Sequence, residues 1–445
     1  MNIEQIRYKR MTETPITRLI SSLAAPSVLS MLITSVYNMT DTYFVSKIDL
    51  SAAAAVGVVF ALMSLIQSVG FTIGMGASSY MSRYLGKKDS ESANLYASSA
   101  VGLALVAGTV MTAVGLAFLT PLMRLLGSTE TALPYAREYS SYILVGAPVM
   151  CVLFVLNKVL NAEGQAKLSM ISVVSGGILN VALDPLFIYT FDMGMAGAAL
   201  ATLISQTVSL IIVILIFVCG KTIVKLSLKS VSLKPQIYFN IIKNGFPTLC
   251  RQGLASVASA LLTVFSKPYG DAAIAAVTIS TKIYTMMRSL IIGIGQGYQP
   301  MAGYNYGAGR FDRVKKGFYF SVLLGTAICT AATFVLWFNA DAVISFFREN
   351  DRDVIKIGGE TLRYFCVVLP LLAYSTYVNQ MFQCLGRSRS AAFLASCRQG
   401  IFYVPLIFVL SRNFGLTGIE ITQASADFLT FLISVPFQIH FFIAE

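Results

Sequence analysis

Ile73-Gly74-Met75-Gly76 recurs 221 residues later as Ile294-Gly295-Gln296-Gly297. The recurrence extends outward in both directions at an offset of 221 or 222. Ala25-Pro26 falls on Phe246-Pro247, Ala54-Ala55-Val56 on Ala275-Ala276-Val277, and Gly86 on Gly307. Further on, Tyr142, Pro148, Asn157 and Gly164 fall on Tyr364, Pro370, Asn379 and Gly386, and Gly194 and Gly197 on Gly415 and Gly418. The chain is therefore a duplication, and each copy is long and apolar. A duplicated membrane lobe leaves a cleft between its copies, and such clefts carry solutes across bilayers.

Composition agrees with that reading. Of 445 residues, 56% are hydrophobic and 12% charged, about half the charge of a soluble domain. Apolar runs recur that are long enough to cross ~30 Å of hydrocarbon as helices. Twelve can be drawn, six per half: 17–46, 51–82, 93–119, 135–160, 168–190 and 194–219, then 238–266, 272–303, 316–338, 358–384, 390–411 and 415–442. The expected architecture is an all-α integral membrane protein of two pseudo-symmetric six-helix lobes. Residues 1–16 read as a polar arm, 17–219 as the first lobe, 220–237 as a linker with four Lys, and 238–445 as the second lobe. Six is an even number, so both copies start on the same side and the repeat is parallel.

The formal net charge of +12 could suggest nucleic acid, but its placement points elsewhere. With the N-terminus in the cytoplasm and sides alternating, about 20 Lys and Arg fall inside and about 9 outside, as the positive-inside rule expects. The inner clusters are Arg7-Lys9-Arg10, Arg83-Lys87-Lys88, Lys221 to Lys234, and Arg310-Arg313-Lys315-Lys316. The first apolar run is too long for a cleavable signal and lacks an A-x-A site. Seven scattered Cys and a single His, at 440, form no CxxC or Cys/His set, which argues against structural zinc, haem and a disulfide framework. Gly293-x-Gly295-x-Gly297 follows no strand, and no GxxxxGK[ST] run occurs, so it reads as helix packing and not as a nucleotide loop. No Ser/His or Cys/His pairing is available for an intramembrane enzyme, and no pore signature for a channel.

Acids inside apolar spans are costly, about 2.5–3.5 kcal/mol on insertion scales, and therefore informative. Asp41 lies late in span 1 and Asp184 late in span 5, both of which run outward, so the two share a depth. Asn180 is one turn before Asp184 on the same face. Thr202 lies about two turns into the returning span 6. Asp41, Asn180, Asp184 and Thr202 offer hard oxygen donors suited to a proton or to Na⁺; helix-end capping is the plainer alternative for the acids.

The second half has the opposite sign. Leu262 stands where the repeat would place Asp41's partner, and the charges away from the span ends are mostly basic: Arg251, Lys282, Arg288 and Arg398, with Asp427 the clear acid. An Arg398–Asp427 ion pair across neighbouring spans is expected. Arg251 and Lys282, with Gln252, either line the cleft against an anionic substrate group, with Arg398 beside them, or snorkel and cap carbonyls. Tyr37, Met63, Phe154 and Met286 could give an adaptable lining, since Met repacks readily; otherwise they pack or face lipid.

Together these features resemble the multidrug and toxic compound extrusion (MATE) family over residues 15–440. The resemblance rests on Ala25-Pro26, Asn38-Met39-Thr40-Asp41-Thr42, Gly74-x-Gly76 with Arg83-Tyr84-Leu85-Gly86, and Asn180-x-x-x-Asp184-Pro185. It rests also on Gly194-x-x-Gly197-Ala198-Ala199-x-Ala201-Thr202, Pro300-x-x-x-Tyr304-Asn305-Tyr306-Gly307 and Gly415-Leu416-Thr417-Gly418. It implies a secondary antiporter that exports amphipathic, often cationic compounds in exchange for inward H⁺ or Na⁺, by alternating access and with no other cofactor. It implies a first-lobe cation site, as in prokaryotic branches related to the DNA-damage-inducible members, at Asp41, Asn180, Asp184 and Thr202, and a bend of helix 1 at Pro26. The branch with a second-lobe Na⁺ site has an acid in helix 7, where this chain has Arg251-Gln252. A flippase for a lipid-linked or anionic precursor is the alternative that the basic second half favours. The partners expected are a small amphipathic molecule and the bilayer of the cell membrane, with no nucleic acid; a monomer suffices, both termini cytoplasmic.

Overall fold

Apolar, low-charge sequence leaves the backbone no partner but itself, and helices satisfy it within one segment. The computed structural model describes residues 3–46, 50–347 and 351–444, apart from the side chains of 38, 39, 41–43, 46, 50–54 and 228. No strand occurs among the described residues. The helices are α1 (Ile3–Glu13), α2 (Ile16–Ser46), α3 (Leu50–Gly86), α4 (Ser90–Ala117), α5 (Leu119–Leu125), α6 (Leu133–Val145), α7 (Ala147–Ala162), α8 (Ala166–Pro185) and α9 (Gly194–Val218). After the linker come α10 (Pro235–Ser266), α11 (Gly270–Gly307), α12 (Phe311–Phe338), α13 (Ala340–Ser345), α14 (Arg352–Cys384), α15 (Ser388–Ser396) and α16 (Tyr403–Ala444).

Nine described runs are long and apolar enough to span a bilayer. Two of them, Pro235–Gly307 and Ser388–Ala444, are each long enough for two spans and are broken at Lys267–Tyr269 and, within α16, at Gly415, whose φ of 58° is non-helical. The bent pair α6–α7 adds one more span, giving twelve.

The boundaries differ from the sequence reading in three ways. Span 4 is broken by 53° at Gly146, where Pro148 removes a donor two residues on. The arm is helical: Ser90 Oγ donates to Glu4 Oε1 at 2.5 Å, and Lys88 Nζ sits 4.7 Å over the Tyr8 ring. Residues 352–357, expected in a loop, form the first turns of α14. They are capped by Asp351, whose Oδ1 accepts from the Val354 amide at 3.2 Å.

By contacts the chain divides into Met1–Glu13 with Ala25–Gly245, and Thr14–Ala24 with Phe246–Glu445. The first turns of α2 thus belong to the second unit, and those of α10 to the first. Both switches fall immediately before a helix-interior proline, Pro26 and Pro247. The opening motif supplies the reason. A methyl on Gly76 would overlap the Ile241 carbonyl of α10, and one on Gly297 would come within 2.6 Å of the Ala24 amide nitrogen. Each glycine receives the opening turns of the other half's first helix, which is why the motif repeats. Gly76→Ala should destabilise the protein by about 1–3 kcal/mol through overpacking, read as a lower melting temperature in detergent.

Within the first unit, α7 packs against α3, α4 and α9, and α8 pairs with α9. Within the second, α14 packs against α11, α12 and α16. The fourth span is central in each.

Glu163 anchors the linker between the halves. Buried after α7, it accepts from the amides of Ile223 and Val224 at 3.0 and 2.8 Å, with Arg7 Nη1 at 3.7 Å. Arg7 Nη2 and Gln165 Nε2 both donate to the Lys221 carbonyl at 2.7 Å. Burial pushes the Glu163 carboxyl up to about 7 from its ordinary 4.5, against the two amides and Arg7. The folded protein therefore holds more protons than the unfolded chain between those values, and stability falls as pH rises through that window. Glu163→Gln should flatten that slope, measured as melting temperature from pH 4.5 to 7.5.

Candidate functional site

In the first unit the geometry is set by how closely α8 and α9 approach. A methyl on Gly197 would lie 2.8 Å from the Phe187 backbone. Ser172 Oγ and Ser209 Oγ each donate to the other's carbonyl, at 3.0 and 3.1 Å. Pro185 ends the regular hydrogen bonding of α8, and Leu186–Thr190 continues as a wider π-helical turn, a distortion frequent at functional sites.

This packing joins three of the expected residues. Asn180 Nδ2 donates to Asp184 Oδ1 at 3.2 Å and approaches Thr202 Oγ1 at 3.4 Å. Asp184 is fully buried, and Asn180 and Thr202 are each 4% exposed. The Tyr139 hydroxyl lies 3.4 Å from Thr202 Oγ1. Sequence reasoning missed Tyr139; the available signal was a phenol inside an apolar span, which needs a partner when buried.

The Asp41 side chain lies outside the described residues. The helix that carries it runs alongside α8. A methyl on Gly177 would meet Ile33 and Tyr37 of α2 at 3.0 and 3.4 Å, and the Tyr189 hydroxyl donates to the Phe44 carbonyl at 2.8 Å. Position 41 lies on α2 between these contacts, as Asp184 does on α8. Of the expected lining residues here, Tyr37 and Met63 are half-buried. Phe154 packs on Phe71, ring centroids 4.9 Å apart, and against Gly70.

In the second unit Arg398 and Asp427 are paired, Nε to Oδ1 at 2.5 Å and Nη2 to Oδ2 at 3.5 Å, with the carboxylate fully buried. Tyr284 OH donates to Asp427 Oδ2, and Gln423 Nε2 to Oδ1 at 3.0 Å. Arg398 sits on the π-helical stretch Cys397–Ile401, its guanidinium 5.9 Å from the Tyr284 ring centroid. Arg251 Nη1 reaches Asn379 Oδ1 at 3.5 Å. Arg251, Arg288 and Arg398 line one cavity of 40 Å³; Arg288 and Arg398 line a neighbouring one of 140 Å³. Lys282 and Met286 are exposed on α11 and, like half-buried Gln252, border neither cavity. Glu420, two turns before Asp427 on α16 and 2% exposed, was also missed, since it stands near a span end.

The MatE family model matches residues 26–186 and 247–409, each stretch beginning at one of the paired prolines. The chain is 26% identical over 422 residues to "Multidrug export protein MepA" of Staphylococcus aureus (strain MSSA476), covering 94% of this chain and 92% of that protein. It superposes with a TM-score of 0.91 on a structure described as "Crystal structure of MATE in complex with MaL6", at 26% identity and 96% coverage of both chains. It superposes at 0.89 on "Crystal structure of MATE in the bent conformation", at 26% identity, covering 98% of this chain and 96% of that one. Two six-span halves and a family match over most of their length lead to one conclusion: the chain belongs to the MatE family of multi-pass membrane transporters.

Proposed function

We propose that the protein exports amphipathic organic compounds across the cell membrane in exchange for H⁺ or Na⁺ entering by alternating access, with both termini cytoplasmic. The observation that carries this reading is the buried oxygen cluster of Asp184, Asn180 and Thr202 beside α2. The similarity to a multidrug export protein supports the direction and the cargo class.

In this mechanism an outside cation reaches Asp184 and Asp41 and neutralises them. Asn180 and Thr202 supply further oxygens, so a proton and a small hard cation are both accommodated. Neutralisation changes the packing of α2 on α8, and α2 bends at Pro26, where proline removes an interior hydrogen bond. The bent conformation described for a solved relative fits such a step. Cargo then loses its place in the first unit and leaves outward. The inward cation drives the cycle, about 2.3 kcal/mol per charge per 100 mV.

The second reading, a flippase for a lipid-linked or anionic precursor, is favoured by the basic interior of the second unit. Everted vesicles separate the two. With H⁺ or Na⁺ loaded in the lumen, antiport predicts gradient-dependent uptake of a fluorescent cationic dye; a dedicated flippase predicts none. Imposing the two ions separately identifies the coupling ion.

A further inference from the structure

The second unit concentrates positive charge that its own carboxylates do not balance. Three guanidiniums, Arg251 on α10, Arg288 on α11 and Arg398, border the 40 Å³ cavity. One carboxylate, Asp427, faces them, and it is engaged by Arg398, Tyr284 and Gln423. Among the described residues no carboxylate lies within ion-pair distance of Arg251 or Arg288. Glu420 instead faces Thr361 and Glu360. The local balance is positive, and a charge withdrawn from solvent without a partner is disfavoured.

A further donor borders the adjoining larger cavity, which shares Arg288 and Arg398 with the smaller one. Thr281 Oγ1 is buried there without a hydrogen-bond partner among the described residues. A hydroxyl has a proton to give, and a buried polar group left unmatched calls for an explanation. The rest of that lining is mixed: Ala258, Leu262, Phe365 and Ile419 give an apolar side, and Ser259, Thr285 and Gln423 a polar one. At 140 Å³ the cavity is below the ~300 Å³ of pockets for whole drug-sized ligands. It suits one polar head, with an apolar wall for the start of a chain.

We propose that Arg251 and Arg288, with Thr281, form a binding site in the second unit for the anionic head, phosphate or carboxylate, of an amphipathic molecule. The guanidinium geometry matches such oxyanions bidentately. Arg398 holds Asp427 and so keeps that carboxylate from occupying the place of the ligand. The site does not depend on how export is driven, and its test uses no gradient.

The test is thermal stabilisation of the purified full chain in a neutral maltoside detergent, titrated with dodecyl phosphate or dodecyltrimethylammonium. A ligand of the folded state raises the melting temperature saturably. Dodecyl phosphate is expected to stabilise and the cation not. Arg251→Gln with Arg288→Gln should raise the half-saturating concentration of dodecyl phosphate about tenfold or more, and each single change part of that. The singles keep the test standing if the double variant does not fold, while Arg288→Lys should retain part of the affinity. A second arm uses phosphatidylcholine nanodiscs with and without phosphatidylglycerol. If phosphatidylglycerol competes with dodecyl phosphate in the wild type, the occupant is a lipid headgroup. If it does not, the occupant is the anionic end of a cargo molecule. Either result supports the site, provided the arginines matter. Equal half-saturation in wild type and folded variants, or equal stabilisation by the cation, overturns it.

Discussion

Asp184→Asn is expected to reduce gradient-driven dye efflux to background while leaving the protein folded, monodisperse and close to wild type in melting temperature. The substitution keeps the shape of the side chain and can still bond Asn180, 3.2 Å away in the native protein. What it removes is the negative charge, so the site no longer distinguishes an ion-bound from an ion-free state. A transporter that cannot change state with the ion cannot couple to it, because a ligand shifts an equilibrium only through its differential affinity. Asp41→Asn should behave alike if both acids form one site. Thr202→Val removes one neutral donor and should slow exchange without abolishing it.

The second large effect concerns stability. Asp427→Ala removes the carboxylate that Arg398, Tyr284 and Gln423 all engage, leaving Arg398 buried without its counter-ion beside Arg251 and Arg288. Breaking a buried pair by deleting one partner costs about 3–5 kcal/mol, whereas replacing both partners by apolar residues of similar volume is often neutral. Asp427→Ala should therefore lower the melting temperature sharply. Arg398→Met combined with Asp427→Leu should recover most of the loss. Equal losses in the single and double variants would show that packing, and not charge, dominates there.

Much of this is legible in the chain because membrane spans obey a length rule and this chain states it twice. The offset of 221 alone puts Gly76 and Gly297 in equivalent positions. What those glycines face is not legible. A 31-residue helix such as α2 reads as one object in sequence, yet its turns before Ala25 pack in a different unit from the rest. Nothing local records that exchange; only the close approach of Ile241 to Gly76 and of Ala24 to Gly297 reveals it. The polar α1 escapes notice because its helix is held by tertiary partners such as Glu163 and Ser90, not by an apolar face of its own.

The sites divide the same way. Asn180, Asp184 and Thr202 are readable because a four-residue spacing and matched depth are simple helical geometry. Tyr139 is not, since the break at Gly146 changes the direction of the span that carries it. In the second half, depth places Arg398 with Asp427. The sequence also offers Lys282 beside Arg251 as a lining residue, but helical position puts Lys282 on an exposed face of α11, and Arg288 takes the place beside the cavity.

The most direct test of the coupling claim is counterflow in proteoliposomes without any imposed ion gradient. A dye gradient alone should drive H⁺ or Na⁺ in the opposite direction through the wild-type protein, followed with a trapped pH or sodium indicator, and the flux should vanish in Asp184→Asn. Dye crossing with no accompanying cation movement, or an unchanged cation flux in Asp184→Asn, would contradict the account.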